Sequence, residues 1–184
     1  MRVIAGTAKG RKLLPVPGDT TRPILDRVKT ALFDILRPDI QGARMLDLFA
    51  GSGAVGIEAL SQGAAHCIFL DLSKNAIETI KTNLEAAGFV ASSEVRHYDA
   101  FSFLRNSVKS FDLIYVAPPQ YEGLWVQAMQ TIAERPEIAT PHGQIVVQID
   151  PREYEKLELA AFEETEQRKY GNTLLVFYRH RGAA

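Results

Sequence analysis

A single cysteine, Cys67, excludes an internal disulfide framework and any Cys-x-x-Cys metal or redox pair. The histidines, His66, His97, His142 and His180, have no metal-ligand spacing with Cys67 or with one another, so no metal site is expected. Serine and cysteine nucleophile motifs are missing as well. No apolar run reaches the roughly 20 residues of a membrane span, and Met1-Arg2-Val3-Ile4 is too short for the apolar region of a secretory signal. The expected location is the cytoplasm, with no membrane partner. Without repeats or low-complexity tracts, the 184 residues, 46% hydrophobic and 23% charged, have an ordinary globular composition. A chain of this length hides roughly 70% of the surface its unfolded form exposes, enough for one domain across residues 1–184, and a monomer is expected.

Net charge is also nearly absent, at 21 Lys and Arg against 22 Asp and Glu, but that average conceals a gradient. Residues 1–30 carry Arg2, Lys9, Arg11, Lys12, Arg22, Arg27 and Lys29 against only Asp19 and Asp26. The stretch from Asp150 to Glu166 leans acidic, with Glu153, Glu155, Glu158, Glu163 and Glu164 against Arg152 and Lys156. Cations gathered at one end allow a local basic patch on a near-neutral protein, and an ordinary solvated face is the alternative.

Between residues 2 and 22, short apolar pieces broken by Gly6, Gly10, Pro15, Pro17 and Gly18 predict a short β-hairpin and an irregular arm. A helix follows, with Pro23 in its first turn, Ile24, Leu25, Val28, Ala31, Leu32, Ile35 and Leu36 on its apolar face, and Pro38 as its stop. From residue 44, short apolar runs alternate with amphipathic segments, the pattern of a parallel sheet with crossover helices. Strands are predicted at 45–48, 67–70, 94–97, 113–116 and 145–149, with helices at 54–60, 74–87, 101–106 and 121–133. The end of the chain departs from this, since 161–168 and 173–178 flank Tyr170-Gly171-Asn172 as an antiparallel hairpin.

The segment from Leu46 to Leu60 reads strand, glycine turn, helix. Gly51 and Gly53 remove Cβ atoms where backbone must approach a ligand, and the helix start supplies free N–H groups. Gly51-x-Gly53-x-x-Gly56 also matches the dinucleotide fingerprint, with Asp71 20 residues after Gly51 as the ribose acid, so an NAD-dependent oxidoreductase competes. Asp47 tilts the choice. A carboxylate four residues before Gly51 suits a cationic ligand or fixes the turn, but adds unfavourable charge beside a pyrophosphate. S-adenosylmethionine has no phosphate and carries a sulfonium and an ammonium. Asp71 could then bond the ribose hydroxyls and Asp99 the adenine amine, both at strand ends; Phe49, Leu72 and Ala100 complete the expected cofactor set. The alternatives are a buried turn-forming Asp47, and helix caps at Asp71 and Asp99.

At this point the chain resembles the class I S-adenosylmethionine-dependent methyltransferases, Rossmann-like α/β proteins whose mostly parallel seven-stranded sheet ends in such a hairpin. Arg2-Val3-Ile4-Ala5-Gly6-Thr7-Ala8-Lys9-Gly10-Arg11-Lys12-Leu13, then Arg22-Pro23-Ile24-Leu25-Asp26-Arg27-Val28-Lys29 and Leu32-Phe33, narrow the likeness to the RsmD family of small-subunit ribosomal RNA guanine-N2-methyltransferases. With the glycine motif and Ser102-Phe103-Leu104, the likeness covers nearly the whole chain. It implies a core at 44–184, an RNA-binding extension at 1–43, and 16S ribosomal RNA or an assembling 30S particle as substrate. Arg11, Lys12, Arg22 and Arg27 are the expected RNA contacts.

The resemblance also implies Asp-Pro-Pro followed by an aromatic after the fourth strand, and here the chain reads Ala117-Pro118-Pro119-Gln120-Tyr121. The guanine N2 lone pair is spread into the ring, so attack on a methyl group needs an acceptor that draws on the amine hydrogens. A carboxylate does this with a charge-assisted bond, and a main-chain carbonyl with a neutral one about half as strong. The two prolines extend the loop and leave carbonyls unpaired. The expected catalytic set is therefore Ala117 and Pro118 through their carbonyls, Pro119 as loop former, and Tyr121 as stacking surface, with Trp125 as another surface or as helix packing. Orienting two bound reactants supplies roughly 7–11 kcal/mol, while losing one acceptor costs about 1.5–4 kcal/mol. Alanine at 117 should therefore slow the reaction without abolishing it, although an RNA-binding protein that has lost turnover is the second reading.

Overall fold

The computed structural model describes residues 1–18 and 23–183. Arg22, one of the expected RNA contacts, lies outside the described residues, as does Asp19. Seven strands form one sheet: β1 (Arg44–Asp47), β2 (His66–Asp71), β3 (Ser93–His97), β4 (Phe111–Val116), β5 (Ala139–Ile149), β6 (Phe162–Tyr170) and β7 (Thr173–His180). Their order is β3-β2-β1-β4-β5-β7-β6. The first five pair in parallel, β7 inserts antiparallel to β5, and β6 returns antiparallel along the edge. The expected mostly parallel sheet with a C-terminal antiparallel hairpin is the observed one.

Helices α1 (Asp26–Ile40), α2 (Ala54–Ser61) and α3 (Lys74–Ala87) cover one face of this sheet, and α4 (Ala100–Asn106) and α5 (Leu124–Glu134) the other. Successive strand residues point to opposite faces, so Met45, Cys67, Phe69, Leu113 and Tyr115 meet the first layer while Leu46, Ile68, Leu70, Ile114 and Val116 meet the second. Burial on both faces is why these strands read as continuous apolar runs. Cys67 is wholly buried in that first layer.

Four local expectations differ, the first being β5, which starts at Ala139 and not at Ile145. Pro38 does not stop α1, which runs on to Ile40. A proline in the last turn forfeits one N–H bond near an end that is already incomplete, and the buried Ile40 gains packing there. Pro23 precedes α1 instead of opening it, because Leu25 is the N-cap. Tyr121 lies outside α5, which starts at Leu124 after Gly123 turns the chain at φ +68°.

The N-terminal arm is a hairpin with one antiparallel bridge, Arg2 to Lys12. Val3 N–H donates to the Arg11 carbonyl and Gly10 N–H to the Val3 carbonyl, both at 2.9 Å. Its inner side is fastened to α2: Glu58 accepts from the N–H groups of Ile4 (2.8 Å) and Ala5 (3.1 Å), and Ser61 Oγ accepts from that of Ala8 (2.9 Å). Lys29 is drawn into this anchor and is 1% exposed, so it leaves the set of cations able to meet a phosphate.

Because β2 and β3 lie on one side of β1 and β4 and β5 on the other, the chain reverses direction of travel between β1 and β4. Open α/β sheets bind ligands at the carboxyl ends of their strands at this kind of switch point. The β6–β7 turn reaches the same end, since Leu174 pairs with Ile149.

Candidate active site

Asp47, Asp71, Asp99, Ala117 and Asp150 each sit at or just past the carboxyl end of one of the five parallel strands. From β1 the chain passes Leu48, whose N–H donates to the Tyr115 carbonyl, and Ala50, whose N–H donates to the Leu70 carbonyl. It then turns through Gly51 (φ +57°) and Gly53 (φ +81°) into α2. A Cβ on Gly51 would meet nothing within 4 Å, so glycine serves the left-handed backbone there and leaves open space beside it. At Gly56 a Cβ would come 2.3 Å from the Phe69 ring, so this third glycine serves helix-to-strand packing.

Asp47 is 1% exposed, and its Oδ1 has no hydrogen-bond partner among the described residues. Burial, reinforced by the negative Asp71 and opposed by the Gly56 N–H, pushes its pKa up to about 8. No cation is among the described groups acting on it. A buried, unpartnered carboxyl is costly unless something supplies the missing bond or charge, so its chemistry fits a ligand that brings a donor or a cation.

The other two acids already have protein partners. Asp71 accepts from Gly51 N–H at Oδ2 (2.9 Å) and from Ser73 N–H at Oδ1 (2.8 Å), so it braces the glycine loop and the approach to α3. Asp99 caps α4 through Ser102 N–H at 2.8 Å, as its alternative reading had it. A carboxylate oxygen has two lone pairs, so neither bond excludes a ligand hydroxyl or amine. Phe49 packs edge-on to Phe101 at 6.1 Å, Leu72 is 66% exposed, and Ala100 is buried in the first turn of α4.

Across the switch point, β4 delivers Ala117 and Pro118 half-buried and Pro119 exposed. Among the described residues no backbone N–H donates to the carbonyl of Ala117 or Pro118. Tyr121 takes φ +63°, which no other described non-glycine residue does. Its N–H donates to Glu153 Oε1 (2.7 Å), and its phenol donates to Asp150 Oδ2 (2.6 Å) and accepts from Arg152 Nη2 (2.5 Å). The Arg152 guanidinium lies over the ring, 5.5 Å from its centroid. Hydrogen bonds from Arg152 and then Tyr121 hold the Asp150 carboxyl well below its usual range. Trp125 is 1% exposed and stacked on Tyr154, so it packs α5 and offers no surface to a base.

The arm reaches this same mouth. Asn83 on α3 accepts from Leu14 N–H (2.8 Å) and donates to the carbonyls of Leu14 (3.0 Å) and Ser52 (2.9 Å), tying arm to glycine loop. Arg11, Lys12 and Arg27 are exposed. A Cβ on Gly171 would lie 3.5 Å from Arg27 Nη2, which brings the start of α1 to the β6–β7 turn.

Known proteins are similar to this chain over most of its length. The family model described as conserved hypothetical protein 95 matches residues 1–179. The chain belongs to this family. YlbH of Bacillus subtilis (strain 168) is 40% identical over 99% of this chain and all of its own length. Ribosomal RNA small subunit methyltransferase D of Haemophilus influenzae is 37% identical over 73% of this chain and 71% of its own. The solved structure of yhhF from Escherichia coli superposes with a TM-score of 0.85 at 30% identity, covering 98% of this chain and 97% of that one. The seven-stranded methyltransferase fold of the family is therefore the fold of this chain. Its N-terminal hairpin lies inside the matched region, so the arm belongs to the family pattern.

Four participants at the mouth escaped sequence reading. Asn83 gave no signal beyond being a polar residue in an amphipathic helix. Asp150 and Glu153 did give one: Asp-x-x-Glu after a strand is a capping-box pattern, and both halves of the box are formed here. Arg152 lies within that box.

Proposed function

We propose that this protein transfers a methyl group from S-adenosylmethionine to the exocyclic N2 amine of a guanine in small-subunit ribosomal RNA, free or in an assembling 30S particle. The observation that carries the cofactor is Asp47: a buried carboxyl with an open lone pair and no cation among the described groups acting on it suits a positively charged ligand, which favours its ionised form as a pyrophosphate would not. When bound, S-adenosylmethionine supplies an electrophilic methyl on a sulfonium. Asp47 and the N–H groups at the start of α2 would hold its charged end, Asp71 the ribose, and Asp99 with the exposed Leu72 the adenine.

The chain's own residues then position the amine. The carbonyls of Ala117 and Pro118 accept its N–H hydrogens, which withdraws the lone pair from the ring π system onto nitrogen and lets that nitrogen pyramidalise. Tyr121 carries the base, which must be unpaired or flipped to reach the loop. No base of unusual pKa is required, because the methylated amine is acidic enough to release its proton to water. Arg11, Lys12 and Arg27, and Arg22 beyond the described residues, would engage phosphates as part of an RNA-binding extension at residues 1–43. Relatives named as small-subunit ribosomal RNA methyltransferases support the substrate.

The test is transfer of labelled methyl from S-adenosylmethionine to small-subunit RNA, free and in particles, followed by nucleoside analysis. Label in N2-methylguanosine is the expected result. Cofactor binding without transfer to any assembly state favours the second reading, an RNA-binding protein without turnover, for which Ala117 in place of an acid is the motive. Tight binding of NAD in preference to S-adenosylmethionine would overturn both.

A further inference from the structure

We propose that Asp150, Arg152 and Glu153 are positioning residues that hold Tyr121 as a stacking surface for the target base, an inference that rests on the methyl-transfer reading above. Tyr121 occupies a left-handed backbone conformation that glycine or asparagine would adopt more easily. The residue is 58% exposed, so core packing does not explain its presence there.

Polar contacts explain it, and they all come from one short segment. Backbone N–H, phenol hydrogen and phenol oxygen are each bonded within residues 150–153, at 2.7, 2.6 and 2.5 Å. That segment is itself rigid. Asp150 Oδ1 accepts from the Arg152 N–H (2.9 Å), and Glu153 Oε2 accepts from the Asp150 N–H (3.3 Å). Asp150 is 4% exposed although its partner Arg152 is largely solvated. Val116 pairs with Val147, so continuing the parallel register sets residue 150 beside residue 119. The clamp therefore stands next to the proline loop.

Two consequences follow for the substrate. The Arg152 guanidinium stands 5.5 Å from the ring centroid with its Nη2 on the phenol oxygen, so it holds the hydroxyl end of the ring while the residue keeps exposed surface for a base. The loop from Leu113 to Tyr121 contains no acid of its own, and Asp150 reaches it only through the Tyr121 phenol. Asp150 thus acts on the reaction by fixing the angle of the ring.

The experiment compares wild type with Asp150→Asn, Glu153→Gln and Tyr121→Phe, using three readouts. In steady-state methylation of small-subunit particles, Asp150→Asn and Glu153→Gln should lower kcat at least tenfold with little change in KM, and Tyr121→Phe, which keeps the ring but loses its tether, should fall between them and wild type. Calorimetric affinity for S-adenosylmethionine and the melting temperature should stay at wild-type values. By NMR with ring-labelled tyrosine, the Tyr121 phenol should titrate above the ordinary range in wild type and return toward it in Asp150→Asn, as expected for a phenol that donates to a carboxylate. The NMR readout needs no turnover, so it remains informative if the methyl-transfer reading fails. Unchanged kcat in an active enzyme, loss of kcat in step with melting temperature, or a phenol titration that Asp150→Asn does not move would each overturn the assignment.

Discussion

Lys29 and Glu58 form an ion pair at 3.1 Å with side chains only 2% and 0% exposed. The same lysine donates to the Arg2 carbonyl at 2.7 Å, and the same glutamate accepts from Ile4, Ala5 and Gln62. One buried pair therefore fastens α1, α2 and the arm together. Removing one partner leaves a charge stranded in the interior, which costs about 3–5 kcal/mol. Lys29→Met should lose that much stability in urea unfolding, and Lys29→Met combined with Glu58→Gln should lose less, because the stranded charge is gone. A double variant less stable than Lys29→Met would contradict this account of the anchor.

Asp47 gives a pH dependence whose sign follows from the direction of its shift. Its pKa is raised from the ordinary carboxylate value to about 8 in the folded protein. Between those values the folded state holds a proton that the unfolded state has released. Stability from this group is complete below pH about 4 and is lost as pH rises to about 8, by at most on the order of 1.4 kcal/mol per pH unit. Asp47→Asn removes the titration, so its stability relative to wild type should climb over that window and level off above it. Affinity of wild type for S-adenosylmethionine should rise over the same window, because a cation favours the ionised carboxyl, and the variant's affinity should not. Parallel pH curves for the two proteins would count against a buried titrating Asp47.

Asn83 is the bolt between arm and glycine loop. Asn83→Ala leaves the N–H and carbonyl of Leu14 and the carbonyl of Ser52 without their partner, and a buried group left unmade costs about 1–3 kcal/mol. Limited trypsin digestion should then cut at Arg11 and Lys12 several-fold faster than in wild type while the β-sheet core stays intact. Equal cutting rates would show that other contacts hold the arm.

Charge reversal at Arg11 and Lys12 addresses the basic patch. Both are exposed, and the double variant should weaken RNA binding and lower the slope of log affinity against log salt by about 1.5, the equivalent of two phosphate contacts. Cofactor affinity should not change. Loss of both affinities together would indicate a folding defect, and loss of neither would remove these residues from the interface.

How much of this was legible in advance follows the range of the interactions. The bounds of α3, 74–87, were readable because amphipathic spacing is a local signal, although its N-cap is Ser73 and not Asp71. The glycine loop and the acids at the strand ends were readable for the same reason. Burial of Lys29 had a faint signal, a lone cation one residue after Val28 and three before Leu32 on the apolar stripe, but its partner is 29 residues away and packing alone brings them together. Tyr121 looked helical because a helical pattern follows it closely; its left-handed turn is set by contacts with residues 150–153, which no local pattern encodes. The double roles of Asp71 and Asp99 as braces likewise depend on where the strands end in space.

Mass spectrometry of small-subunit ribosomal RNA from cells lacking this protein tests the central claim most directly. Loss of one N2-methylguanine that returns on complementation with wild type, and returns only partly with Asp150→Asn, is the predicted outcome. A modification profile identical with and without the protein would contradict it.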